Sequence, residues 1–367
     1  MEIKHIRMKY MSVETLEKGV GRPTSTNINS NNVALPDVNE NKSHSKDTTI
    51  SENNKTFNNN FSEKSNINKK DSCIMKSFQC PICNATAEET IHRCVDHSVT
   101  KEEFDILRCK SCGYAQTFPQ PDESTIGKYY ETDAYISHSE THSGIVNKLY
   151  HLIRQFNVRK KLHLVEQMAH RHKSLLDVGC GTGFFLSHCK EQGWNVTGVE
   201  QNDKARTKAE ERINASVYPS IDKISNTGKT FDVITLWHVF EHLYDINRSF
   251  EQLKSLLNPR GILVLALPNP CSKDAKIYGK DWAAFDVPRH LSHFSRQSIR
   301  LLAGKHGVKV KKISPLKFDA YYISMLSEQI RRKKGIASLV RGVCRGFQSN
   351  ISARRTGDYS SLVYVIE

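Results

Sequence analysis

The fold of this chain is decided by the stretch Leu175-Leu176-Asp177-Val178-Gly179-Cys180-Gly181-Thr182-Gly183-Phe184-Phe185. A short apolar run leads to an acidic residue and then to a turn in which every second residue is glycine. Because glycine has no Cβ atom and reaches positive φ without penalty, the backbone of such a turn can approach a ligand closely. The next apolar run ends at Val199-Glu200, about 20 residues further on, where a doubly wound sheet presents a carboxylate to ribose hydroxyls. The stretch therefore predicts a strand, a turn and a helix that bind a nucleoside cofactor.

The spacing of these glycines argues against two phosphate-binding patterns. The dinucleotide pattern G-x-G-x-x-G needs a glycine where Phe184 stands, and no Gly-Lys-Ser/Thr follows for a phosphate loop. Asp177 would face the cofactor, where it costs roughly 3 kcal/mol beside a pyrophosphate and contributes as much beside a cation. The site therefore favours a cationic ligand. The plainer alternative is a glycine turn that only connects a strand to a helix.

The same residues resemble motif I, D-x-G-x-G-x-G, of the class I S-adenosylmethionine-dependent methyltransferases, whose cofactor carries an ammonium, a sulfonium and a ribose. Phe231 to His242 resembles the fourth strand of that family and the segment after it, and Leu256 to Leu263 resembles its turn into the fifth strand. The resemblance runs from about Ser174 to Lys312. The similar group includes ubiquinone-biosynthesis O-methyltransferases and sugar methyltransferases that carry a cysteine-rich zinc unit.

The resemblance also implies roles for single residues. The residues that it places at the cofactor are Asp177, Gly179, Gly181 and Gly183 for the methionine part and Glu200 for the ribose. Trp237 and His238 are added as candidate cofactor residues because they stand at the end of a later predicted strand. Members of the family often carry an acid near the adenine after the third strand. This chain has Tyr218-Pro219-Ser220 at that place, so the adenine contact departs from the family pattern.

Strand and helix patterns alternate regularly from Ser174 onward. The predicted strands are Ser174 to Val178, Asn195 to Glu200, Ala215 to Tyr218, Phe231 to Leu236, Gly261 to Ala266, Val308 to Ile313 and Leu362 to Ile366. Such alternation is typical of a parallel sheet that binds ligands at the carboxyl ends of its strands. We therefore predict an α/β fold with a Rossmann-like, doubly wound, mostly parallel seven-stranded sheet.

Two Cys-x-x-Cys pairs precede this region. They are formed by Cys80 and Cys83 and by Cys109 and Cys112, and each pair is followed by Asn or Gly, which tolerate the left-handed turn of a metal knuckle. Four thiolates at this spacing predict a small zinc-ribbon-like unit with a structural Zn²⁺, whose binding would supply on the order of 10 kcal/mol to folding. Iron and a redox-active dithiol pair are the alternatives.

Composition, the cysteine spacing and the family resemblance together divide the chain into four predicted parts. They are a disordered Asn/Ser/Lys-rich tail over 1–74, the zinc-ribbon-like unit over 75–120, a helical linker or cover over 121–172, and the methyltransferase domain over 173–367 with a basic helical insertion at 320–358. Met75 directly precedes the first cysteine pair and is a candidate for the biological start. No apolar run approaches the ~20 residues that span a bilayer, and the scattered other cysteines suit a reducing compartment, so we expect a cytoplasmic protein.

The chain is basic, with a formal net charge of +14, and much of the excess lies after Leu301. The densest run, Arg331 to Lys334, stands in the insertion among apolar stretches. This mixture is typical of a segment that lies on an anionic membrane or binds an acidic substrate, and a solvated helical cover is the alternative. Nucleic acid is a weaker partner, since the cysteine knuckles lack interleaved aromatic and basic residues.

Candidate catalytic residues follow the fifth predicted strand, in the segment from Asp281 to Ser295. Trp282 and Phe285 would form an apolar wall there, with histidines nearby that titrate near neutral pH. A base is needed only for a hydroxyl or carbon acceptor, because the sulfonium already activates the methyl group. The candidate bases are His290 first, His238 second and His293 third. The alternative is that His290 and His293 bond a turn and cap the helix near Ser295.

The run from His238 to His242 also matches H-x-x-E-H, a zinc-peptidase signature. That signature needs a continuous helix and a third ligand, whereas this run directly follows an apolar strand, so we set the peptidase aside. We expect His238 to lie at the mouth of the cofactor or substrate site, and Glu241 and His242 to begin the next helix. The whole sequence predicts an S-adenosylmethionine-dependent methyltransferase that acts on an oxygen or carbon of a small molecule, sugar, quinone-like or lipid-linked acceptor. A zinc-knuckle RNA-binding protein or RNA methyltransferase is the alternative.

Overall fold

A small antiparallel sheet precedes a large mixed sheet in the computed structural model, which describes residues 78–130, 158–168, 173–331 and 335–367. The predicted tail over 1–74 and much of the predicted linker over 121–172 lie outside these residues. The small sheet contains β1 (Glu88–Val95), β2 (Glu103–Cys109) and β3 (Ala115–Phe118). Its strands pair in sequence order, so two short connections are enough to build it.

The large sheet has seven strands. They are β4 (Ser174–Val178), β5 (Asn195–Val199), β6 (Val217–Tyr218), β7 (Phe231–Trp237), β8 (Leu257–Pro268), β10 (Val310–Pro315) and β11 (Ser361–Ile366). Their order across the sheet is β10-β11-β8-β7-β4-β5-β6; β11 is antiparallel to both of its neighbours, β10 and β8, and the other pairs are parallel. The order reverses at β4, which is the switch point where doubly wound sheets bind ligands. The predicted α/β, Rossmann-like fold is confirmed.

Helices cover both faces of this sheet. They are α1 (Phe184–Glu191), α2 (Asp203–Ile213), α3 (Ile221–Ser225), α4 (Ile246–Ser255), α5 (Lys273–Tyr278), α6 (Arg296–Lys305), α7 (Asp319–Ile330) and α8 (Ile336–Thr356). Residues 158–168 are also helical, with Leu162 and Val165 buried in the core. Because both faces are covered, the central strands are apolar throughout, and this continuous burial is why the sequence shows them as unbroken runs.

Two helix starts differ from the expectations of the sequence. Phe240–His242 forms one 3-10 turn, and the helix after it begins only at Ile246, where the Asp245 carboxylate accepts hydrogen bonds from the backbone of Asn247 and Arg248. At α6 the capping side chain is Ser295, which accepts from the Ser298 backbone N–H. His290 and His293 therefore do not cap this helix.

The small sheet and the large sheet share one core. The short strand β9 (Ser292–His293) pairs with β3, and the Tyr114 hydroxyl lies 2.8 Å from the Ser292 hydroxyl. The buried Arg289 guanidinium donates to Asp96 at 3.1 Å, which joins the loop after β1 to the segment before β9. Among the described residues, no helix has the length and apolar character that crossing a membrane requires.

Candidate functional site

The glycine turn after β4 has the conformation that its sequence predicts. Gly179, Gly181 and Gly183 have φ of 72°, 56° and 77°, a region that residues with a Cβ atom rarely adopt. At Gly179 a Cβ atom would also overlap the Val239 side chain. The turn therefore exposes backbone at the switch point of the sheet, where any other residue would be strained or would clash.

Asp177 lies at the end of β4 and is 3% exposed. One of its carboxylate oxygens accepts a hydrogen bond of 2.6 Å from the Thr235 hydroxyl on the neighbouring strand. Burial raises the pKa of Asp177 from 3.8 to about 7, although the bond from Thr235 lowers it. A buried carboxylate of this kind is stabilised by a cation, which agrees with the cationic ligand predicted from the sequence.

Glu200 follows β5 and points at the same turn. One of its carboxylate oxygens accepts from the Gly181 backbone N–H at 2.9 Å, and the other accepts from the Asn202 backbone N–H at 2.9 Å. Burial raises the pKa of Glu200 despite these two bonds. Each carboxylate oxygen keeps a second acceptor site, so the side chain is oriented and can still receive two hydroxyl groups.

Trp237 ends β7 and is packed in the core with 6% of its surface exposed. Its ring meets Phe185 edge-on at 5.7 Å, and the Lys161 ammonium lies 4.5 Å from its centroid. Burial lowers the pKa of Lys161, while Asp177 and Asp319 act against that shift. Trp237 and Lys161 thus form one side of the space around Asp177.

A cavity lies between the carboxyl ends of β5 and β7 and the small sheet. Its walls come from the loop after β1, the end of β5, the turn after β7, the segment before β9 and helix α7. The residues that line it include Cys94, Val95, His97, Ser98, Tyr130, Glu200, His238, His242, Trp282, Phe285, His290, Asp319, Tyr322, Ile323, Leu326 and Ile330. Of the predicted site residues, Glu200, His238 and His290 line it. Asp177, Trp237 and His293 are not in its lining. Trp282 and Phe285 form the expected aromatic wall.

His238 stands between two carboxylates. Its Nε2 atom lies 3.2 Å from Asp319 and its Nδ1 atom lies 3.5 Å from Glu241. Burial alone would lower its pKa, but the bonds to Asp319 and Glu241 outweigh burial and raise the pKa to about 9. Its φ of 59° is rare for a residue with a side chain. His238 is therefore held as a cation at neutral pH, which suits electrostatic stabilisation better than proton removal.

His290 presents a basic nitrogen to the cavity. Its Nδ1 atom donates to the Ala284 carbonyl at 2.9 Å, since a carbonyl oxygen can only accept, and this bond fixes the tautomer with a lone pair on Nε2. That Nε2 atom lies 4.0 Å from Glu241, and 12% of the His290 side chain is exposed. The geometry is that of an imidazole base oriented by a carbonyl.

His242 and Glu241 complete the group around His290. His242 also donates from Nδ1 to a carbonyl, that of Arg289 at 2.9 Å, and burial lowers its pKa to about 4. Glu241 is 1% exposed, and one of its carboxylate oxygens lies 3.5 Å from Nδ1 of His238 and 4.0 Å from Nε2 of His290. The ligand atoms of Glu241, His242 and His290 all lie within 4.8 Å of one another. Two imidazole lone pairs that face a buried carboxylate attract positive charge, either a proton or a divalent cation.

His293 and Arg289 are buried and bonded to other side chains of the protein. His293 is 4% exposed, its Nε2 atom bonds the Thr117 hydroxyl at 3.1 Å, and burial lowers its pKa to about 3. Arg289 is 2% exposed and is bound by Asp96 and Asp286. Both side chains hold the small sheet against the segment before β9.

The four cysteines of the predicted metal unit come together. The sulfur atoms of Cys80 and Cys112 are 3.5 Å apart, as are those of Cys83 and Cys109, and all four lie within 4.8 Å of one another. The bond from Cys112 lowers the pKa of Cys80 to about 5, so one thiolate is favoured even without a metal. The arrangement fits a tetrahedral ion with Zn–S distances of about 2.3 Å.

Sequence reasoning missed several residues of the site. Asp319 comes from the helix after β10, and nothing in its local sequence points to a partner at His238. Glu241 and His242 were visible in the H-x-x-E-H run but were expected to begin a helix. The available signal was the position of Glu241 and His242 four and five residues after the end of the buried strand β7, because the residues that follow such a strand lie at the ligand edge of the sheet.

Comparisons with known proteins agree with this geometry. A family model described as a methyltransferase domain matches residues 150–313. Ubiquinone biosynthesis O-methyltransferases are among the similar proteins: that of Coxiella burnetii is 29% identical over 125 residues, which cover 32% of this chain and 52% of the relative. That of Actinobacillus pleuropneumoniae is 31% identical over 137 residues, which cover 34% of this chain and 58% of the relative. The chain thus spans about half the length of these curated relatives.

Solved structures resemble the chain more weakly. The magnesium protoporphyrin IX methyltransferase from Synechocystis PCC 6803 with bound SAH gives a TM-score of 0.41 at 17% identity, and the match covers 53% of this chain and 92% of that one. The mycolic acid cyclopropane synthase CmaA1 complexed with SAH and CTAB gives a TM-score of 0.41 at 16% identity, with 56% and 82% covered.

Proposed function

We propose that the whole protein transfers a methyl group from S-adenosylmethionine to an oxygen or carbon atom of its acceptor, and the match of residues 150–313 to a family model described as a methyltransferase domain supports this proposal. The acceptor is a small molecule, a sugar, a quinone-like compound or a lipid-linked compound. The single observation that carries this proposal is the glycine turn after β4 with Glu200 bonded to its Gly181 N–H. No feature in the described residues favours the RNA alternative.

The residues of the turn fit the cofactor. Asp177 is a buried carboxyl group that gains from a neighbouring cation, and Glu200 is oriented to accept the two hydroxyl groups of a ribose. Gly179, Gly181 and Gly183 keep the turn free of side chains, and Trp237 closes one side. S-adenosylmethionine would supply an electrophilic methyl group on a positively charged sulfur in this place.

Residues of the cavity and its walls are proposed to remove the proton from the acceptor, to stabilise the charges that form and to exclude water. Nε2 of His290 takes the proton that an acceptor O–H or C–H group loses, while the bond from its Nδ1 to the Ala284 carbonyl keeps the ring in place. Glu241 stabilises the imidazolium that forms, because its carboxylate lies 4.0 Å away. His238, held as a cation, stabilises negative charge that develops on the acceptor. The aromatic wall of Trp282 and Phe285 excludes water.

The cysteine unit is proposed to bind a structural Zn²⁺ through Cys80, Cys83, Cys109 and Cys112. Its support is the close approach of the four sulfur atoms in the core shared with the large sheet. The ion has no open coordination position in such a site, so it stabilises the fold and takes no part in methyl transfer.

The proposed function includes a location of the protein in the cytoplasm.

Isothermal titration with S-adenosylhomocysteine, the demethylated product, tests the cofactor site. We expect the wild type to bind and Glu200→Ala to bind at least about tenfold more weakly, because charge-assisted hydrogen bonds of roughly 1.5–3 kcal/mol are removed. Glu191→Ala is the matched control, since this exposed carboxylate lies at the end of α1. A nicotinamide dinucleotide that binds well, with no heat from S-adenosylhomocysteine, would contradict the proposal.

A further inference from the structure

Helix α8 carries an apolar stripe on its outer face. Ile336 is 77% exposed, Val340 54%, Val343 43%, Phe347 55% and Ile351 47%. Their spacing of three or four residues places them on one side of the helix along its whole length. Single exposed apolar residues are ordinary on protein surfaces, but a continuous stripe along a helix of 21 residues marks an interaction site.

The fold fixes this face outward. The opposite face of α8 packs on α7 through two glycines: a Cβ atom on Gly342 would lie 2.7 Å from Met325 Cα, and one on Gly346 would lie 2.7 Å from Tyr321 Cα. Backbone contact of this closeness leaves α8 no freedom to rotate and bury its apolar stripe. The stripe is therefore a permanent part of the surface.

The charge of α8 is of one sign. The helix contains Arg341, Arg345, Arg354 and Arg355, all exposed, and its sequence has no Asp or Glu. Arg341 and Arg345 lie on the flank beside the stripe, where Arg341 also contacts the Glu328 carboxylate of α7 at 3.4 Å, and the last two arginines follow the stripe at the carboxyl end. An apolar face whose flanking charges on its own helix are all arginines is complementary to a surface that is apolar inside and negative at its boundary.

We propose that α8 docks the protein on anionic lipid membranes, with its apolar stripe in the boundary between headgroups and acyl chains. A second copy of this chain is a poor occupant, because a symmetric contact through the stripe would bring the arginines of both helices together. Membrane docking of α8 would also place the cavity near the membrane, because α8 packs on α7 and α7 lines the cavity with Ile323, Leu326 and Ile330. The docking itself does not depend on the proposed methyl transfer.

Vesicle sedimentation with the full-length, metal-loaded protein tests this proposal. Vesicles of phosphatidylcholine alone are compared with vesicles that also contain phosphatidylglycerol, at low and high salt. We expect sedimentation with the anionic vesicles that weakens as salt rises, because the arginines are screened. Equal binding to both kinds of vesicle, or no binding to either, would overturn the proposal.

Two double variants separate the apolar and the charged contribution. One variant carries Phe347→Ser and Ile351→Ser, and the other carries Arg354→Gln and Arg355→Gln. Each should lower the partition coefficient of the protein between water and anionic vesicles at least about tenfold. Leu301→Ser is the control, because this residue of α6 is exposed to a similar degree, 43%, and is not on α8. Sedimentation velocity provides the check on self-association. A dimer that is lost in the Phe347/Ile351 variant would assign the stripe to a second copy and refute the membrane proposal.

Discussion

Burial keeps the Asp177 carboxyl group close to half-ionised at neutral pH, since its pKa is raised to about 7. Because the folded value lies above the unfolded one, ionising this group costs stability as pH rises from about 4 to 7, and that cost persists above 7. A cation bound beside Asp177 offsets the cost. Ligand binding and the ionisation of this residue are therefore linked.

The linkage predicts how affinity for S-adenosylmethionine depends on pH. Below about pH 7 Asp177 holds a proton that a cationic ligand must displace, so we expect the affinity at pH 7.5 to exceed that at pH 6 by severalfold to about tenfold. Asp177→Asn should bind more weakly and show a flat profile over this range. Fluorescence or calorimetric titration measures both, and a wild-type profile that matches the variant's would rule out the role of Asp177.

His290 is predicted to act on turnover and not on cofactor affinity. His290→Gln should lower kcat at least roughly tenfold, the low side of what a positioned base contributes, while the Kd for S-adenosylhomocysteine stays unchanged. His163→Gln is the control, because His163 is an exposed histidine that contacts Gln167. Unchanged turnover in the His290 variant would assign proton removal to another group or show that none is needed.

At the scale of elements, the sequence predicted the strands well because covered parallel strands are unbroken apolar runs. Among the elements that it did not predict are β9 and the 3-10 turn at Phe240–His242. Both are set by tertiary contacts: β9 exists only because β3 lies beside it, and the turn ends where Asp245 caps the next helix. Local patterns do not contain these contacts.

Packing of α8 on α7 gives a prediction about stability. Gly342→Ala places a methyl group 2.7 Å from Met325 Cα, so we expect it to destabilise the protein by about 1–3 kcal/mol. Gly304→Ala in α6 is the matched control, because no described atom lies within 4 Å of its Cβ position; it should stabilise by about 0.4–1 kcal/mol. Thermal or chemical unfolding followed by circular dichroism compares them, and equal stability of the two variants would refute the tight contact.

At the scale of the whole molecule, the cysteine unit and the large sheet are one cooperative body. Cys80, Cys109 and Cys112 share a core cluster with Phe294 and Ile299, which belong to the region around α6. The cofactor-binding part could be predicted from sequence because Asp177, the glycines and Glu200 lie within two neighbouring strand ends. The cavity could not, because its walls come from segments such as the loop after β1 and helix α7 that lie far apart in the chain.

Loss of the metal is therefore predicted to affect the entire chain. Cys112→Ser should lose the bound ion, lower the melting temperature of the single transition and weaken binding of S-adenosylhomocysteine, because the cavity wall loses its support. Cys344→Ser, on an exposed cysteine, should change none of these quantities. Elemental analysis and calorimetry provide the readouts. A Cys112 variant that retains one ion per chain and the wild-type melting temperature would contradict the shared core.

The buried contact between Asp96 and Arg289 has a consequence for recombination. Exchanging the first 120 residues for those of a homologue would leave Asp286 but remove Asp96 from the buried Arg289, unless the incoming segment supplies an acid at the same place, and losing this charge-assisted hydrogen bond costs about 1–3 kcal/mol. Chimaeras joined within the predicted linker over 121–172 should therefore be less stable. Stable chimaeras should carry the segment 286–293, which leads into β9, together with the cysteine-rich segment from the same parent.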